Sequence, residues 1–210
     1  SNNTILATNP SVEEGLRKLD TAEWKQVLEI LAGLSAQFPE KISLEQLEPV
    51  YEKVEQRFLQ DSKDALKVPS VVELGYAFGK LVLGSDAFWN KLMQRFSALL
   101  ASSGLNIYEI SRFLFGATNK ISLEPSIFDD LESNIAQSNE TLTPEILGFL
   151  LPAIAKIYAS NQQQGLFQQI HSNIQQNADN AHPPSIQDLP LWSRLIDTTM
   201  EQIPQMDATD

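Results

Sequence analysis

The sequence predicts an all-α fold, a right-handed α-solenoid of about five helical hairpins with a repeat of about 38 residues. Three observations point there. The pentapeptide KISLE occurs twice, at residues 41–45 and 120–124. An apolar triplet with i, i+3, i+7 spacing recurs as Tyr51-Val54-Phe58, Trp89-Leu92-Phe96, Phe128-Leu131-Ile135 and Phe167-Ile170-Ile174, at intervals of 38, 39 and 39 residues. No stretch alternates apolar and polar residues with the period of two that marks a strand.

Each triplet falls on one stripe of a helix, because steps of three and four residues alternately undershoot and overshoot a turn. About ten helices follow, over 11–18, 21–37, 43–60, 69–83, 86–102, 106–119, 123–138, 143–159, 163–177 and 185–202. Ser11 with Glu14 has the spacing of a capping box and opens the first, and Ser43 with Gln46 opens the third. The segments 71–83, 107–121 and 146–158 are apolar nearly all round, as expected of inner helices covered on both sides. Asn106 with Glu109 starts one of them, and Thr143 followed by Pro144 starts another. The Gln- and Asn-rich run 161–178 keeps Phe167, Ile170 and Ile174 in register and so reads as a helix with an uncharged outer face. KISLE is the junction between hairpins: Lys and Ile close one helix, and Ser43 or Ser122 caps the next.

A helix pair with one apolar face cannot bury that face alone, so pairs at this period stack side by side. Residues 1–20 then form an N-terminal extension with a short capping helix, and 21–182 form the repeat array. A C-terminal capping helix and tail follow over 183–210, where Pro190 breaks the pattern.

Composition narrows the chemistry. The chain has no cysteine, which removes disulfides, thiolate metal sites and a cysteine nucleophile. The two histidines, His171 and His182, belong to no metal-binding motif. Asp129 and Asp130 are adjacent, so they point about 100° apart on a helix and cannot share one site. No glycine-rich phosphate loop and no nucleophile elbow is present, and the reading is of no catalytic residue, no metal and no cofactor. No apolar run has the ~20 residues of a membrane helix. Residues 1–20 contain Glu13, Glu14 and Asp20 and resemble neither a secretory signal nor a transit peptide.

The net charge of −12 is unevenly spread. Residues 1–121 hold 13 Lys/Arg against 15 Asp/Glu, whereas residues 122–210 hold 2 against 12. The C-terminal half is a poor surface for nucleic acid and a good one for a basic protein partner. In the first half Lys53 and Arg57 on one repeat are matched by Lys91 and Arg95 on the next, a short basic stripe that could contact an anion or RNA. The competing reading is two solvated helix faces. Trp24 and Trp192 lie in outer helices and are candidate partner anchors, since tryptophan is enriched in interface hot spots.

The pairing of an outer helix bearing F-x-x-L-x-x-x-I with a small-residue inner helix ending in A-x-A-K-I, as at 153–157, resembles the organellar helical repeats of the heptatricopeptide and FAST-kinase-like class, within the wider armadillo, HEAT and octatricopeptide arrays. The resemblance spans roughly residues 21–176. It implies a mitochondrial or plastid location and, commonly, RNA binding; without the resemblance the expected location is cytoplasmic. The basic stripe ends after two repeats, however, with Asp130 and Asn134 and then Gln169 and Asn173 at the matching positions, and no RAP domain is visible after the repeats. The expectation is therefore a non-catalytic scaffold or accessory subunit that binds protein partners. The alternative is an organellar RNA-binding protein acting in RNA processing or stability.

Overall fold

The computed structural model describes residues 9–61, 68–102, 104–123, 134 and 142–173, with only the backbone course for 158 and 161–173. Among these residues the fold is all-α, with seven helices and no strand. We label them α1 (Pro10–Lys18), α2 (Trp24–Ser35), α3 (Leu44–Gln60), α4 (Val68–Lys80), α5 (Asp86–Ala101), α6 (Ile107–Ala117) and α7 (Pro144–Asn173). The chain divides into two compact units, Ser1–Gly104 and Leu105–Asp210.

In the first unit α3 packs against both α1 and α5, while α2 packs against α4. Contacts of α1 with α2, α2 with α3 and α4 with α5 join these two rows into layers. The recurring triplets explain the rows. Tyr51, Val54, Phe58, Trp89, Leu92 and Phe96 are each no more than 1% exposed. Between the rows Phe78 stacks on Phe88 with centroids 4.1 Å apart, and Tyr51 and Phe58 meet this pair edge-on at 4.8 and 5.2 Å. Full burial of one such side chain is worth about 1.5–3 kcal/mol, so these rings tie the two rows together. The second unit is built on α6 against α7, through Ile110, Phe113, Leu114, Leu150 and Ile154. The triplets beginning at Phe128 and Phe167, the helix expected over 185–202, and all of the helix expected over 123–138 except Leu123 and Asn134 lie outside the residues whose side chains are described.

Local signals set most boundaries. The Asn106 side chain accepts from the Glu109 amide at 2.8 Å, and Glu109 returns the bond to the Asn106 amide at 2.9 Å. The Ser43 amide donates to Gln46 Oε1 at 3.0 Å, and Thr143 Oγ1 accepts from the Ile146 amide at 3.3 Å. At α1 the cap is Asn9, whose Oδ1 accepts from the Ser11 amide at 2.9 Å, and Pro10 takes the first helical position. Glu14, expected to complete a box with Ser11, instead binds Arg17 and Lys18. Asparagine followed by proline is the better start, because the proline lacks the amide that a cap would have to satisfy. Each KISLE copy opens on a pair of amides sharing one carbonyl, four and five residues back in the first copy and three and four back in the second. Lys41 and Ile42 amides converge on the Gln37 carbonyl at 2.8 and 3.2 Å, and Lys120 and Ile121 amides on the Ala117 carbonyl at 3.0 and 2.9 Å.

One expectation fails outright. Helices over 143–159 and 163–177 are predicted as separate, yet α7 runs unbroken from Pro144 to Asn173. The segment 159–165 offers no proline, and its single glycine, Gly165, costs a helix only about 1 kcal/mol relative to alanine. Pro152, inside the same helix, is exposed. The carbonyl four residues earlier, which it leaves without an amide partner, lies on the same solvent-facing side and can be hydrated.

The first unit also holds a strained turn. After α4 the Val82 amide donates to the Gly79 carbonyl at 3.1 Å and the Leu83 amide to the Phe78 carbonyl at 2.9 Å. This is the paired bonding that follows a left-handed residue at a helix end. That residue is Val82, at φ +58°, where glycine or asparagine is usual. Gly84 follows at φ +92°, and a Cβ there would come within 2.8 Å of the Phe88 ring.

Candidate functional site

The four cations of the predicted stripe project from α3 and α5 onto the C-terminal ends of α1 and α3, in each case two helices earlier in the chain. Lys53 Nζ donates to the Leu16 carbonyl at 3.0 Å and pairs with Asp20 Oδ1 at 2.6 Å. One turn on, Arg57 Nη1 donates to the Leu19 carbonyl at 3.0 Å, and its guanidinium lies over the Trp24 ring, 5.1 Å from the centroid. The next copy repeats the arrangement on α3. Lys91 Nζ donates to the carbonyls of Phe58 at 2.9 Å, Leu59 at 3.0 Å and Asp61 at 2.8 Å. Arg95 Nη2 reaches the Asp61 carbonyl at 3.4 Å, and both side chains lie over the Phe58 ring, at 5.3 and 5.0 Å.

The physical reason is general. The last four carbonyls of a helix have no amide partner within it, and they carry the negative end of its dipole. A lysine or arginine from the neighbouring helix satisfies both demands while its stem covers an aromatic ring. All four side chains are half-buried, and Lys53 is 35% exposed. In the second unit Lys156 on α7 donates to Asn119 Oδ1, just past the end of α6, and lies 5.7 Å from the Phe115 centroid.

Trp24 sits inside the same construction. Its indole Nε1 donates to Asp61 Oδ2 at 3.1 Å, and Phe58 meets its ring edge-on at 6.4 Å. It is half-buried, holding the start of α2 to the end of α3. Trp192, His182, Asp129 and Asp130 lie outside the described residues, and His171 falls on α7 where only the backbone is described.

The outward charge of α3 is of the other sign. Glu45, Glu48 and Glu52 follow i, i+3, i+7 spacing and are exposed. Ion pairs join Glu14 to Arg17 and Lys18, Glu29 to Lys25, and Asp20 to Lys53, and among the described residues none is seen to this row. Glu55, next along the row, turns to α5 and accepts from the Ser85 amide at 3.2 Å and from its hydroxyl. A carboxylate is favoured there by the positive end of α5.

Two open grooves lie beside the turn that follows α1. One of about 420 Å³ is lined by Asp20, Lys53, Gln56, Arg57 and Gln60. The other, of about 480 Å³, is lined by Lys18, Thr21, Ala22, Gln26, Glu29 and Ile30. Both lie on the surface, and neither gathers a nucleophile with a base. Among the described residues no three His, Asp or Glu side chains are placed to hold a metal ion, and no helix is long and apolar enough to cross a membrane. Among the described residues, two side chains have clearly shifted titrations. Hydrogen bonds from Arg17 and then Lys18 hold the exposed Glu14 carboxyl below the usual glutamate value. Burial pushes the Tyr51 phenol above its ordinary value against the bond to Ser35 at 2.8 Å.

Comparison with protein-family models, with curated proteins and with solved structures finds no match to this chain.

Proposed function

We propose that this chain is a non-catalytic helical-repeat scaffold or accessory subunit that binds a protein partner with a basic surface inside a larger assembly. The observation that carries the proposal is the division of charge on α3. Its cations Lys53 and Arg57 turn to the end of α1, while Glu45, Glu48 and Glu52 are exposed and no ion pair seen among the described residues involves them. A partner meeting this face encounters carboxylates, and complementary charge on it both speeds and orients association. The recurrence of the Lys-Arg contact from α3 to α5 supports a repeat array, extended in this proposal to the solenoid of hairpins that the sequence pattern describes. A mitochondrial location rests on the resemblance alone.

The test is the native size of the protein in a gentle extract of its own cells, with and without ribonuclease, for wild type and for the triple variant E45K/E48K/E52K. The proposal expects a large particle that survives nuclease and releases the triple variant. A free monomer in wild-type extract overturns it. Collapse on nuclease treatment overturns it in favour of RNA binding, which titration of RNA against salt would then measure.

A further inference from the structure

We draw no further inference here: the strongest candidate, the cluster of half-buried Tyr108, Arg112, Phe115 and Phe149 with exposed Lys156 between α6 and α7, has its cations set over its own rings, and nothing in the structure shows what covers it.

Discussion

Replacing Lys91 by methionine tests whether the basic stripe holds the fold together. Methionine keeps most of the apolar stem over Phe58 and removes only the charge and its three donors. Those donors serve the Phe58, Leu59 and Asp61 carbonyls at 2.8–3.0 Å. A hydrogen bond to a charged group contributes about 1.5–3 kcal/mol, and a cation at a helix C-terminus about 0.3–1 kcal/mol. Three bonds to one ammonium do not add, and at Leu59, 36% exposed, water can reach the freed carbonyl. The expected loss is therefore roughly 2–3 kcal/mol, or about 4–12 °C in melting temperature for a chain of this size. Urea unfolding followed by circular dichroism would measure it, in low and in high salt. Arginine at the same position should rescue only in part, because a planar fork cannot point three donors at three carbonyls around one atom. A solvated lysine predicts a change within about 0.5 kcal/mol, so K91M at that level would refute the capping argument. So would a loss that vanishes in about 1 M salt, where exposed charges are screened but half-buried contacts persist.

Three further substitutions probe other parts of the first unit. Gly84→Ala should cost at least about 2 kcal/mol in urea unfolding, because its Cβ would meet the Phe88 ring at 2.8 Å on a backbone that L side chains rarely adopt. Val82→Gly should stabilise by a few tenths to about 1 kcal/mol, since relief of about 1–2 kcal/mol of left-handed strain outweighs the added freedom of the unfolded chain; a loss of stability would show that the strain reading is wrong. Tyr51 supplies a pH dependence. Its folded value lies above the unfolded one, so its contribution is complete below the ordinary tyrosine range and fades as pH rises through the folded value. The difference in 295 nm absorbance between wild type and Y51F should therefore rise only above the ordinary tyrosine range, and half-titration of that difference at or below about pH 10 in the folded protein would contradict this.

Much of the fold was legible because its signals are local or periodic. The reciprocal Asn106–Glu109 cap and the Ser43–Gln46 bond lie within one turn, and the apolar triplets report burial through spacing alone. The unbroken course of α7 was not legible, because a drop in apolar periodicity over Asn161–Gln164 resembles a loop although nothing in those residues ends a helix. Val82 was not legible either. Sequence rules place glycine at that position, and only the fold shows that a branched residue has been held there.

The stripe itself shows why a pattern and its use can come apart. Lys53-Arg57 and Lys91-Arg95 recur at one repeat period, and in a repeat protein that is what a periodic ligand surface looks like. A helix end recurs at the same period, and it asks for the same residues. What separates the two is the identity of the groups one repeat upstream: Leu16 and Leu19 close α1, and Phe58, Leu59 and Asp61 close α3, so each cation pair sits opposite a set of carbonyls lacking amides. Sequence carries a faint form of this signal, a Lys-x-x-x-Arg pair about one repeat after a predicted helix stop, with an aromatic near that stop for the stems to cover. By the same logic a ligand surface should be sought among side chains that no neighbouring helix end requires. On α3 that description fits Glu45, Glu48 and Glu52, exposed like charges at i, i+3 and i+4 spacings whose mutual repulsion weakens the helix slightly and which a cation on a partner would relieve. If the triple substitution E45Q/E48Q/E52Q raised stability by several tenths of a kcal/mol while weakening retention in the native particle, repulsion and recognition would be traced to the same three carboxylates. Unchanged retention would remove this face from the interface.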